Sequence, residues 1–574
     1  MGYREMYKKW LDEFAGVKET FEELMSIAGD EKEIEDRFYT ELSFGTAGMR
    51  GVLGMGSNRM NLYNVMRATK GFADYINAGD PSYKERGVVI AYDSRRMSAE
   101  FAKAAALVLA HEGIRVYLFD ELRPVPILSY AVRHLNAIAG IVITASHNPP
   151  QYNGYKVYWE DGAQMPPEYA DQVLKCIRAN SYEDAKQMDE KDAIKSGLLK
   201  IIGHKEVDDD YIAQEKTLSV QPELMKKAGK ELKIVYTPIH GSGNKPVRRI
   251  LKEIGIENVY VVKEQELPDP NFSTVKVPNP EDPAAFALAM KLADEVGADC
   301  IFGTDPDCDR VGIAVKDNEG KYYLMTGNQI GCTLLYYILK SRQTLGTLPA
   351  NGAVVKSVVS TELARKIAKS FGLACFDTLT GFKWIANKIQ QFEETGEYTF
   401  VFGFEESYGF LSSTFVRDKD GVNASLLIAE AAAWAKMQDK TLYDILQEIY
   451  QTYGYYVEKV VSVTLPGKDG LTKMQEIMKN LRAEPPKEIA GVKVRAVRDY
   501  LAGTRTDAEG NVTPVDLPKS DVLYFELEDD AWVCIRPSGT EPKIKLYVNT
   551  TAKDAATSQA ENAALVDASK ALLA

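Results

Sequence analysis

At 574 residues the chain is too long for one hydrophobic core, and roughly three to five domains are expected. Apolar residues make up 45% and charged residues 26%, the balance of a soluble globular protein, and the formal charge of −13 argues against general binding to nucleic acid or an anionic membrane. An anionic substrate must then be held by local cationic pockets.

The first residues run into a charged amphipathic segment with no apolar core, so no signal peptide is expected. No uncharged apolar run is long enough to span a bilayer. The six cysteines are scattered with no Cys-x-x-Cys, the pattern of reduced thiols in a cytoplasmic protein. Strand-like apolar runs then alternate with helix-like stretches. A strand at 87–93 precedes a helix near 99–111, and strands follow at 114–119, 137–143, 232–236, 259–262, 300–303, 352–359 and 398–403. This rhythm predicts βαβ units and mixed or mostly parallel sheets. After about residue 450 it changes, and 457–465 and 522–527 read as strands of a smaller α+β domain. Polar stretches near 185–210, 316–323 and 438–455 are the candidate linkers. The predicted division is 1–205, 206–322, 323–450 and 451–574.

The most informative loops follow strands, at the end where open α/β sheets bind ligands. Thr144-Ala145-Ser146-His147-Asn148-Pro149 ends the strand at 137–143. Ser146 there suits carriage of a phosphoryl group, because a dianion needs cations and N–H donors, and His147 and Lys156 supply potential positive charge. The same residues can also form an ordinary Asx-type turn. In Asp305-Pro306-Asp307-Cys308-Asp309-Arg310, aspartates alternate, so in an extended loop their side chains share one side. Three converging carboxylates repel unless a cation neutralises them, and oxygen-only ligation suits Mg²⁺. Cys308 falls on the opposite side. In Phe404-Glu405-Glu406-Ser407, Glu405 and Ser407 are placed to meet neighbouring sugar hydroxyls. In Arg536-Pro537-Ser538-Gly539-Thr540-Glu541-Pro542-Lys543, hydroxyls, a permissive glycine and flanking cations make an anion cradle, with a polar hairpin turn as the alternative.

These four loops, in this order and spacing, resemble the α-D-phosphohexomutase family from Phe44-Gly45-Thr46-Ala47-Gly48-Met49-Arg50-Gly51 to Arg536-Pro537-Ser538-Gly539-Thr540. The resemblance implies four domains around a central cleft, the first three of shared mixed α/β topology and the last α+β. It also implies a phosphoserine, one Mg²⁺ and a sugar bisphosphate intermediate, here glucose 1,6-bisphosphate. By the same resemblance Ser146 carries the phosphoryl group and lends an oxygen to the metal held by Asp305, Asp307 and Asp309. Arg50 and Arg310 flank the transferring phosphate, Glu405 and Ser407 read sugar hydroxyls, and Arg536, Ser538, Gly539, Thr540 and Lys543 clamp the other phosphate. Thr380-Gly381-Phe382-Lys383-Trp384 resembles the segment whose lysine moves protons; Lys383 is either that general acid/base or a plain cation. His240 either borders the cleft or is a turn residue.

Within the family, Ser43 to Arg50 and Phe404-Glu405-Glu406-Ser407 look closest to the long bacterial phosphoglucomutases, with phosphomannomutase and phosphopentomutase as alternatives. Readings of other classes are a Mg²⁺-dependent phosphatase with Asp305 as nucleophile and a non-catalytic sugar-phosphate sensor. Small sugar phosphates are the expected partners, without nucleic acid or membrane, in a monomer or homodimer.

Overall fold

The computed structural model describes residues 2–44, 48–465, 470–538 and 543–573. The chain forms two compact units, one of residues 1–326, 386–391 and 407–441, the other of residues 327–385, 392–406 and 442–574. Unit 1 opens with three short helices, α1 (Tyr3–Glu13), α2 (Lys18–Ser26) and α3 (Glu31–Phe38), which bury Trp10, Phe14, Leu24 and Phe38 in a small cluster of their own. Trp10 stacks edge-on against Phe38 and Tyr63, so aromatic packing fixes this cap.

Six strands form the first sheet, in the order β1 (Gly48–Val52), β5 (Tyr152–Trp159), β4 (Ala139–Ile143), β2 (Val88–Tyr92), β3 (Val116–Phe119) and β6 (Leu199–Ile202). Its core strand β4 is buried at every position, which is why it reads as an unbroken apolar run rather than an alternating one. Gly48 has φ 135°, and a Cβ there would lie 1.9 Å from the Tyr155 carbonyl oxygen, so only glycine lets β1 pair with β5. The second sheet runs β11 (Tyr322–Met325), β10 (Val311–Lys316), β9 (Cys300–Thr304), β7 (Lys233–Thr237) and β8 (Asn258–Val261).

Unit 2 holds α4 (Gly327–Leu345), α5 (Leu363–Ser370) and the third sheet, in which β12 (Gly352–Ser357) lies between β13 (Ala374–Thr378) and β14 (Thr399–Glu405). Helix α6 (Phe382–Thr395) connects the last two strands. The chain then passes into unit 1 with β15 (Gly409–Leu411) and α7 (Gly421–Lys436), and returns through α8 (Leu442–Tyr453).

One connection recurs in the first three sheets. A first strand sits in the middle (β2, β7, β12), the second pairs with it on one side (β3, β8, β13), and the third pairs in parallel on the other (β4, β9, β14). The Ser146, Asp305 and Glu405 loops all leave the C-terminal end of that third strand. They are therefore equivalent positions of one repeated unit.

The remaining sheet is antiparallel, in the order β16 (Tyr455–Thr464), β23 (Lys543–Ala552), β22 (Trp532–Pro537), β21 (Leu523–Leu527), β18 (Val492–Asp499), β19 (Thr504–Asp507) and β20 (Val512–Pro514), with β17 (Glu488–Ile489) paired to β18. Helix α9 (Ala555–Ala571) buries Leu565 and Val566 in its core.

All three expected linkers are structured. The stretch 185–210 contains the edge strand β6, and 316–323 is the turn of the β10–β11 hairpin. Polar composition there reflects sheet edges, where one face meets water. The stretch 438–455 holds all of α8, an amphipathic helix that buries Leu442, Ile445, Leu446 and Ile449.

Candidate active site

The Ser146 loop is held from below by charge. Asp93, just after β2, accepts the Thr144 hydroxyl at 2.7 Å, and the Thr144 oxygen in turn accepts the Ser146 N–H at 2.8 Å. Arg95, fully buried, pairs with Asp93 at 3.2 Å and donates to four carbonyls of the loop: Ser146, Asn148 (2.6 Å), Pro149 (3.0 Å) and Tyr152 (3.2 Å). These bonds hold Ser146 at φ 53°, a left-handed conformation that serine adopts only at a cost. Its hydroxyl donates to Asp305 Oδ2 at 3.0 Å and lies 3.2 Å from His147 Nδ1.

The aspartate loop turns rather than extends. Cys308 has φ 51°, and its N–H closes a turn on the Asp305 carbonyl at 2.9 Å. The carbonyls are claimed from outside: Pro306 accepts from the Ser242 N–H and hydroxyl, Asp307 from the Val125 N–H at 2.9 Å and Cys308 from the Gly421 N–H at 3.0 Å. A Cβ on Gly421 would lie 2.6 Å from that last oxygen. With the backbone pinned in this way, the three carboxylates converge, their ligand atoms all within 4.8 Å of one another. The expected convergence is thus present, produced by a turn instead of strand alternation.

Asp305, Asp307 and Asp309 are all buried. Oδ1 of Asp307 and Oδ1 of Asp309 are buried without a hydrogen bond, a costly state unless another group completes them. Burial, together with the carboxylates of Asp307 and Asp309, pushes Asp305 well above the usual range. Burial pushes Asp309 up as well, but Lys419 (3.0 Å), Lys156 (3.8 Å) and Arg310 outweigh it and hold it below the usual range. Lys156 also meets Asp307 at 3.0 Å. A hard divalent cation on the oxygens facing one another fits this set, which among the described residues holds carboxylate oxygens only.

Arg310 is anchored by Glu281 at 2.8 Å, and Arg50 donates to the Asn148 side chain at 3.3 Å while feeling the charges of all three aspartates. Burial, with Arg310 and Arg50 adding to it, pushes the His147 imidazole down to about 2, which favours its neutral form.

In unit 2, β14 ends in Glu405, whose carboxylate accepts the Gly381 N–H at 2.6 Å. This joins the Glu405 loop to the Lys383 loop. Lys383 lies in the first turn of α6, its ammonium 5.4 Å from the Trp384 ring centre. The carboxylate of Glu406 accepts the Ser357 hydroxyl at 3.0 Å, so the loop is fixed from its middle residue. The boundary between the two units falls directly after Glu406, so Ser407 belongs to unit 1. Arg536 leaves β22, with Lys545 of β23 opposite it. Its side chain bonds the Tyr547 hydroxyl, and the Ser538 N–H donates to the Lys543 carbonyl at 2.7 Å. Gly539 and Thr540 lie outside the described residues.

His240 is a turn residue. It is buried at φ 61°, with Nδ1 3.0 Å from the Leu267 carbonyl and Nε2 2.8 Å from the Thr274 hydroxyl. Sequence reasoning missed Asp93, Arg95 and Lys419. The Asp93-Ser94-Arg95 segment follows a core strand, which is a usable signal. Lys419 sits in the run Arg417-Asp418-Lys419-Asp420, which reads as a solvated face and is entirely buried.

Repeated α/β units that present a hydroxyl against a carboxylate cluster define a phosphoryl-transfer enzyme. The chain belongs to the phosphoglucomutase/phosphomannomutase family: its alpha/beta/alpha domains I, II and III match residues 41–184, 209–320 and 326–453, and its C-terminal domain matches 463–566. It is an enzyme of the isomerase class, in a family that depends on Mg²⁺ and works through glucose 1,6-bisphosphate. A phosphoglucomutase of Staphylococcus aureus (strain MRSA252) is 41% identical over 529 residues, spanning 91% of this chain and 92% of its own. Another from strain MSSA476 is 40% identical over 522 residues, spanning 90% and 92%. Among solved structures, a phosphoglucomutase/phosphomannomutase family protein of Burkholderia thailandensis shares the fold with TM-score 0.64 at 18% identity, covering 92% of this chain and 96% of its own. The open form of the Paramecium phosphoprotein pp63/parafusin does so with TM-score 0.66 at 19% identity, covering 93% and 95%. No helix among the described residues is long and apolar enough to cross a membrane.

Proposed function

We propose that the protein interconverts α-D-glucose 1-phosphate and glucose 6-phosphate through a phosphoserine at Ser146. The observation that carries this reading is the Ser146 hydroxyl bonded to Asp305 inside a buried three-carboxylate group. Asp305, Asp307 and Asp309, with an oxygen on Ser146, would hold Mg²⁺, which supplies charge stabilisation for the transferring phosphoryl group.

The chain's own residues do the rest. Arg50 and Arg310 take up charge on the equatorial oxygens. A neutral His147 can either donate to the Ser146 oxygen or accept from it, which suits an oxygen that loses and regains phosphate. In the forward half-reaction the bond from phosphorus to Ser146 breaks and a bond from phosphorus to a sugar hydroxyl forms. The hydroxyl proton passes to a base, for which Lys383 is the candidate. The bisphosphate turns over, and the other phosphate returns to Ser146. Glu405 and Ser407 read sugar hydroxyls, and Arg536, Ser538, Gly539, Thr540 and Lys543 hold the phosphate that does not react. The domains run close to 1–205, 206–322, 323–450 and 451–574, and the protein works in the cytoplasm.

The test is a coupled assay on glucose 1-phosphate, mannose 1-phosphate and ribose 1-phosphate, with mass spectrometry of the enzyme after turnover. The glucose ester should give the highest kcat/KM and the label should sit on Ser146. Label on Asp305 would replace the mutase reading with a phosphatase, and binding without turnover would make the protein a sensor.

A further inference from the structure

Unit 2 contains a cavity of about 270 Å³ outside all the loops described above. One wall is α5, with Arg365, Lys366 and Lys369; the other is β18, with Arg495 and Arg498; Trp532 of β22 also lines the cavity. Against these five cations stand three carboxylates, Glu362, Glu526 and Asp530, which leaves two positive charges in excess on a chain whose net charge is −13.

The pairing is uneven. Arg498 meets Glu526 at 2.5 Å and Arg365 meets Glu362 at 2.8 Å, so those pairs are satisfied. Asp530 serves both walls, 3.3 Å from Lys366 and 3.7 Å from Arg495, and so does Asp377, 2.6 Å from Arg365 and 3.8 Å from Arg498. Among the described residues Lys369 has no ion-pair partner. Trp532 is 2% exposed, stacked on Tyr524 at 5.0 Å, and its indole N–H is buried with no hydrogen bond. A buried donor without a partner is unusual. The lining carries more cationic donors than carboxylates, so the cavity asks for acceptors. The excess of cations in the lining, with Lys369 left over, points to an anionic ligand.

We propose that this cavity is a second anion site, separate from the catalytic loops, for a small metabolite carrying two closely spaced phosphate or carboxylate groups. Two anionic groups answer the excess of cations, and the cavity lies just below the about 300–1,000 Å³ range of ligand sites. An occupant would tie the helix of the third sheet to the C-terminal sheet. Its influence has a route inward. Glu362 bonds the buried Lys356 at 2.8 Å, Lys356 reaches the Ser360 carbonyl at 3.3 Å, and the Ser360 hydroxyl accepts the Glu406 N–H at 3.1 Å.

The experiment is calorimetric titration of pyrophosphate, and separately of citrate, into the full-length protein in metal-free buffer with the catalytic loops saturated by glucose 6-phosphate. One saturable site is expected for at least one of them. Binding of pyrophosphate alone assigns phosphate groups, of citrate alone carboxylates, and of both their shared chemistry. Lys369→Glu with Arg495→Glu, both exposed positions, should weaken binding by about tenfold or more while leaving turnover and thermal unfolding as in the wild type. Absence of saturable binding for both anions, or binding untouched by the double charge reversal, overturns the proposal.

Discussion

Ser146 combines three properties that seldom meet in one residue: burial, a left-handed backbone and a hydroxyl aimed at a carboxylate. The first two are structural costs met by Arg95, and only the third is chemistry. Ser146→Ala should therefore lower turnover by at least about 10³-fold, as loss of a nucleophile does, while the unfolding midpoint stays close to wild type; activity within a few-fold of wild type would remove Ser146 as the carrier. Arg95→Lys tests the other half. A lysine cannot serve four carbonyls and Asp93 at once, because its donors lack the planar fork. Stability should fall by about 3 kcal/mol, the scale of a damaged buried pair, and turnover should fall with it, read by urea denaturation beside the coupled assay. The serine and the aspartates were legible because their chemistry is local, spelled out within a few residues. Arg95 and Lys419 were not, since the fold delivers them from 51 and 110 positions away, to Ser146 and to Asp309 respectively (146 − 95 and 419 − 309).

Among the elements, the βαβ rhythm predicted the core strands well, because strands buried on both faces are continuous apolar runs. The edge strands β6 and β11, each four residues long, escaped, and so did the interior strands β5, β10, β22 and β23. The repetition of one strand order in three sheets was implied only by the family resemblance, since it resides in pairing and not in residue identity. A further element-level feature concerns β16. Glu458 has a buried Oε1 with no hydrogen bond, and burial raises its carboxyl to about 7, opposed by Thr361 and Asn328. Because the folded value lies above the unfolded one, this group's contribution is fully present below about pH 4.5 and is lost as pH rises to about 7. Glu458→Gln should stabilise the protein at pH 8 by on the order of 2 kcal/mol and by much less at pH 4.5. Denaturant midpoints at the two pH values check this; an equal change at both would place the effect outside ionisation.

For the molecule as a whole, a mutase must keep its bisphosphate until it has turned. Arg536 stands on the C-terminal sheet, far along the chain from the serine that it serves in this reading. Arg536→Ala should raise KM for glucose 1-phosphate and glucose 6-phosphate alike, and loss of the intermediate should leave unphosphorylated, inactive enzyme to accumulate. Added glucose 1,6-bisphosphate should then partly restore Arg536→Ala but not Ser146→Ala. Unchanged KM for both monophosphates would show that this hairpin is not the clamp.

The turn that gathers the aspartates also seals Cys308 behind them. Its sulfur is fully buried, and Cβ atoms placed on Gly243 and Gly421 would lie 2.8 Å and 2.9 Å from it. A thiol in that position cannot be alkylated in the closed protein, so its labelling is a clock for opening of the loop, its rate set by the fraction of molecules that breathe. Cys176, only half-buried, should react first and serve as the internal standard. Mg²⁺ should slow labelling of Cys308 and leave that of Cys176 unchanged, which peptide mapping over time would read directly.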